Sequence, residues 1–132
     1  MDDMNDIYRR HAQTVYKSLL AQCHDADLAE AGLRHAGLDG YFRGLMTCAE
    51  VGVGKNESPE IYERCMRRLR GNKKDTVVFE DALHAIQTAR DAGFRVCGVY
   101  DPSSEADQET IRQLSEYYIR SFEEMFESQT LE

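Results

Sequence analysis

The sequence predicts an α/β protein, a parallel sheet with helices on both faces. Three observations point there. Residues 76–101, TVVFEDALHAIQTARDAGFRVCGVYD, read as a short apolar strand, a helix and a second apolar strand, with Gly93 as the turn between the last two. Strand-like and helix-like stretches alternate through the rest of the chain. At 132 residues, 42% hydrophobic and 30% charged, the chain is long enough for one soluble domain with a buried core.

Each element has its own signal. Residues 7–16 suggest a short helix, and Ser18-Leu19-Leu20-Ala21 a strand that ends near Gln22 and Cys23. Asp25 is a plausible N-cap for a helix over 26–36, where Leu28, Ala31, Leu33 and Ala36 lie near helical spacing and Gly37 supplies the stop. Residues 44–48 are a candidate short strand leading into the turn Gly52-Val53-Gly54-Lys55. Pro59 suits the first turn of a helix running to residue 69. A polar turn over 70–75 then precedes the strand of Val77, Val78 and Phe79. Asp101-Pro102-Ser103-Ser104 breaks the next strand, a short helix spans 106–114, and an amphipathic segment over 115–126 carries Tyr117, Tyr118, Ile119, Phe122 and Met125.

Composition narrows the function classes. A formal charge of −8 disfavours nucleic acid and anionic membrane as partners. No apolar run approaches the roughly 20 residues that span a bilayer, and the first residues have neither a basic nor an apolar leader region. The expected location is cytoplasmic. Cys23, Cys48, Cys65 and Cys97 are far apart, with no CxxC and no cysteine–histidine cluster, so they are expected to be reduced rather than zinc ligands. His11, His24, His35 and His84 form no ligand set by spacing. The Gly-Val-Gly-Lys string is not a nucleotide-binding loop, because Ala49 and Asn56 stand where that motif needs glycine and a hydroxyl residue.

The chemistry-bearing feature is Glu80-Asp81, at the end of the first apolar strand of the 76–101 unit. In an open α/β sheet, ligands and ions gather at the carboxyl ends of the strands. Two adjacent carboxylates there can hold a divalent cation through oxygen. Taken alone, such a pair is more often a helix cap beside a solvated carboxylate, and Lys55 alone would be a surface lysine.

The stretches VVFEDALHAIQTARDAGFRVCGVYD, DGYFRGLMTCAEVGVGK and SPEIYERCMRRL together resemble the haloacid dehalogenase-like hydrolase superfamily, most of all its β-phosphoglucomutase-like phosphatase branch. The resemblance covers roughly residues 18–125 and implies a Rossmann-like core. It implies that Glu80 and Asp81 hold Mg²⁺. It makes Lys55 a catalytic and substrate-binding residue that neutralises the phosphoryl group, and puts Gln22 at or next to a phosphate-binding Ser/Thr position. The implied substrate is a small phosphorylated metabolite. These roles suit phosphoryl transfer, in which negative charge spreads over the phosphoryl oxygens.

Three departures qualify the resemblance. The family opens on a strand ending in DxDxT or DxDxV, with a nucleophilic aspartate and an acid/base aspartate. Here Asp2, Asp3 and Asp6 follow no apolar strand, and Asp25 and Asp27 begin a helix. Gln22 replaces the expected hydroxyl residue, and residues 56–59 are one longer than the usual spacing after the lysine. The implied fold therefore lacks its central nucleophile strand and most of its cap. The expectation is the C-terminal part of a longer enzyme, a truncated form, with residues 1–17 a cap or lead-in remnant and 18–132 the core. The isolated chain is expected to be inactive. A homodimer or strand exchange would cover the exposed edges. The alternative is a non-catalytic remnant serving as an interaction or oligomerisation module. A receiver-type signalling domain would need an acidic pair after its first strand and an acceptor aspartate after its third, and has neither.

Overall fold

Parallel pairing of three strands organises the chain: β1 (Val77–Glu80), β2 (Arg95–Val99) and β3 (Tyr117–Ile119), in the order β1-β2-β3. The structure is a computed structural model that describes residues 26–37, 40 and 42–125. In register, Val78 faces Val96 and Glu80 faces Gly98, while Val99 faces Ile119. Helices α1 (Ala26–His35), α2 (Cys48–Val51), α3 (Glu60–Arg68), α4 (Leu83–Asp91) and α5 (Gln108–Leu114) surround the strands in sequence, with 3₁₀ turns at Lys73–Asp75 and Pro102–Asp107.

Alternation along the strands sends side chains to two cores. Val78 and Val96 join Ile61 of α3, Ile86 of α4 and Ile111 of α5 on one face. Val77, Phe79 and Cys97 turn the other way and pack with Ile119 and Met125. That is the period-2 consequence of a sheet buried on both sides, and explains why β1 and β2 read as continuous apolar runs. All four residues of β1 are buried, yet among the described residues β1 has a partner strand on one side only.

Most of the element boundaries follow local chemistry. Gly37 takes φ +72° after α1, and Gly93 takes φ +94° between α4 and β2, both positions where glycine carries no Cβ penalty. Pro59 precedes α3 as its N-cap residue. The end of α3 is less comfortable: Arg70 adopts φ +57° while the Gly71 N–H closes on the Met66 carbonyl at 2.9 Å.

Two expectations change. Residues 44–48 do not form a strand. Thr47 is extended, but it caps the single turn α2, its side chain accepting from the Glu50 N–H at 3.1 Å, and Gly52 ends that turn in the left-handed region. A strand exists through its partner's hydrogen bonds, and residues 44–47 pair with no strand among the described residues. The amphipathic segment after α5 supplies β3, whose Tyr117, Tyr118 and Ile119 are the aromatic and β-branched types that suit a pleated surface. The helix expected over 7–16, the strand of Ser18 to Ala21, and Gln22 lie outside the described residues.

Candidate functional site

β1 delivers Glu80 as its last residue, and Asp81 follows at once, before Ala82 at the head of α4. Both carboxylates therefore stand at the carboxyl edge of the sheet. Lys55 comes from 25 residues earlier. The Gly54 carbonyl accepts from Glu57 and Ser58 N–H groups at 3.1 and 3.2 Å, which turns the chain back toward α3 and leaves Lys55 facing the sheet edge. Its Nζ donates to Glu80 Oε1 at 2.5 Å.

This ion pair is buried, with side-chain exposures of 10% for Lys55 and 4% for Glu80. The exposed pair of Arg64 and Glu60 on α3 is a different object, since water screens it and leaves it little net effect on stability. A buried carboxylate needs donors. Glu80 has a second one on the same oxygen: the Tyr62 hydroxyl at 2.7 Å. Tyr62 is buried in the core cluster, its ring edge-on to Phe94 at 6.1 Å, and Lys55 Nζ lies 5.8 Å from the ring centroid. Burial, then the negative charge and hydrogen bond of Glu80, push the Tyr62 hydroxyl well above the ordinary phenol range, so it remains a donor.

The structure thus brings Lys55 and Glu80 together, with half-buried Asp81 adjacent in the chain. Gln22 lies outside the described residues. Tyr62 was not singled out from sequence. The available signal was its place beside Ile61 on the buried side of α3, which marks it as core but says nothing about its hydroxyl.

The donor set can be judged by its chemistry. Among the described residues no group of three or more His, Cys, Asp or Glu side chains is placed to hold a metal ion. Mg²⁺, however, commonly takes one or two carboxylates and completes its shell with water and substrate oxygens. Asp81 fits that role as a hard oxygen ligand. One oxygen of Glu80 already accepts from Lys55 and Tyr62. No helix among the described residues is long and apolar enough to cross a membrane.

The same region of the chain carries the likeness to known proteins. The fructose-1-phosphate phosphatase YqaB of Escherichia coli (strain K12) is 38% identical over 69 residues, which is 52% of this chain but 36% of the relative. The chain thus matches about a third of that relative's length. The model of the haloacid dehalogenase-like hydrolases matches residues 23–93, more than half of the chain, and includes the lysine turn, α3, β1 and α4. With its parallel α/β sheet and a matched span of that extent, the chain belongs to the haloacid dehalogenase-like hydrolase family.

Proposed function

We propose that this chain carries the lysine and acidic-pair portion of a Mg²⁺-dependent phosphatase site for a small phosphorylated metabolite. The observation that carries the reading is the buried Lys55–Glu80 pair at the carboxyl edge of β1. A buried ammonium beside carboxylates is suited to a phosphoryl group, whose developing charge is stabilised by a fixed cation in a site of low dielectric. In this reading Lys55 binds and neutralises the phosphoryl oxygens, and Gln22 donates a hydrogen bond to them. Asp81 holds Mg²⁺ with Glu80 beside it. Haloacid dehalogenase-like hydrolases generally use Mg²⁺, and when bound the ion would supply further positive charge at the phosphoryl oxygens. The relative's named substrate is a sugar phosphate, and for this chain the proposal extends only to the class of phosphate monoesters.

The sequence holds no aspartate pair that follows an apolar strand in the DxDxT or DxDxV pattern. The isolated chain is therefore proposed to be without turnover. Incubation with p-nitrophenyl phosphate and MgCl₂ is expected to release nitrophenolate no faster than buffer. Clear Mg²⁺-dependent release that disappears in Asp81→Asn would contradict the absence of turnover.

One observation favours a second reading, an interaction module that assembles with itself. Among the described residues β1 pairs on one side only, and an unpaired strand edge is a template for another strand. Sedimentation as a homodimer would support it. A monodisperse monomer that unfolds cooperatively would sink it.

A further inference from the structure

We propose that Tyr62 is the positioning residue of this site: its hydroxyl holds Glu80 Oε1 and thereby fixes where the Lys55 ammonium stands at the sheet edge. The inference rests on the reading of Lys55 as the phosphate-binding cation.

Two donors converge on one oxygen, Lys55 Nζ at 2.5 Å and the Tyr62 hydroxyl at 2.7 Å. A Glu carboxylate turns about a broad, roughly two-fold terminal torsion. An ammonium is a compact charge with three rotating donors and a flexible stem, so by itself it does not define that rotation. The phenol does. Its hydroxyl sits at the end of a rigid ring with two torsions, and the ring is 7% exposed and locked edge-on against Phe94. Constraint therefore runs from the core to the ring, from the hydroxyl to Glu80, and from Glu80 to Lys55, which also lies over the ring face.

Tyr62 has a second consequence. A bound anion would draw on the donors of Lys55, and Glu80, 5% exposed, would then lose part of its compensation. Burying a carboxylate without donors is strongly unfavourable. The Tyr62 hydroxyl keeps one donor on Glu80 throughout, so Lys55 can be shared with the anion.

Calorimetric titration of the full chain with inorganic phosphate tests this. Y62F keeps the ring and removes the hydroxyl. It is expected to raise the dissociation constant about ten-fold, the weaker end of what a hydrogen bond to a charged group contributes. I86V, a core change at a fully buried apolar position, is the control for a purely structural loss and is expected to leave the constant unchanged. Equal affinity in Y62F and wild type would overturn the inference, as would an equal weakening in I86V. If the wild-type chain takes up no phosphate, the phosphate reading fails, and the ¹⁵N signal of the Lys55 ammonium decides the positioning inference separately. Loss or broadening of that signal in Y62F supports it, and an unchanged signal refutes it.

Discussion

Glu80 shows how one residue type acquires different meanings from its surroundings. Glu60 on α3 is an exposed partner of Arg64, screened by water, and R64A should leave the urea midpoint nearly unchanged. Glu80 is buried, and Lys55→Met would leave its Oε1 with the Tyr62 hydroxyl as donor. K55M should cost about 3–5 kcal/mol in urea unfolding, while the double variant K55M/E80L should recover much of that loss, because removing both charges is far less harmful than stranding one. Cys97 offers a pH test. Burial pushes its thiol up from 9.0 to about 12. The folded state therefore disfavours the thiolate, so this contribution is fully present below pH 9 and is lost as pH rises toward 12. The stability difference between wild type and C97A should shrink across that interval, and a constant difference would contradict it. Glu80, Asp81 and Lys55 were legible in the sequence because residue type, strand end and family likeness coincide there. Tyr62 was not, since its role depends on a hydroxyl meeting a carboxylate 18 residues away.

At the scale of elements, close approach and backbone conformation carry the predictions. A Cβ on Gly98 of β2 would stand 2.7 Å from Ser115 Oγ and 2.8 Å from Ile111 Cγ2, so the strand packs against the end of α5 at glycine distance. G98A should lower stability by about 1–3 kcal/mol, measured as a fall in melting temperature, because the branched Ile111 methyl has little room to yield. Arg70 lies in the left-handed region at the end of α3. R70G should be stabilising by up to about 1 kcal/mol in the same measurement, relieving the Cβ conflict against the added freedom of glycine in the unfolded chain. The unit β1-α4-β2 was readable because its apolar runs are bounded by a carboxylate pair and by Gly93. Residues 44–48 resemble a strand because Met46 and Thr47 are buried and Thr47 is extended, yet among the described residues no strand pairs with them. β3 escaped assignment because three residues inside an amphipathic segment carry too little periodicity, and pairing with β2 decides the matter.

At the scale of the molecule, the sheet places the site and leaves an edge. The order β1-β2-β3 sets Glu80 at the end of an outer strand among the described residues, with both faces of that strand buried. The α/β class and parallel pairing followed from the alternation of elements, whereas which strands border one another is a long-range property that no local pattern encodes. The central claim is that Lys55, Glu80 and Asp81 form a phosphate and Mg²⁺ half-site. Its most direct test is an amide ¹H–¹⁵N titration of the labelled chain with inorganic phosphate and MgCl₂. Shifts concentrated at Lys55, Tyr62, Glu80 and Asp81, saturating with concentration and with their phosphate-dependent part absent in K55M, are the predicted result. No shifts there, or the same shifts in K55M, would contradict it.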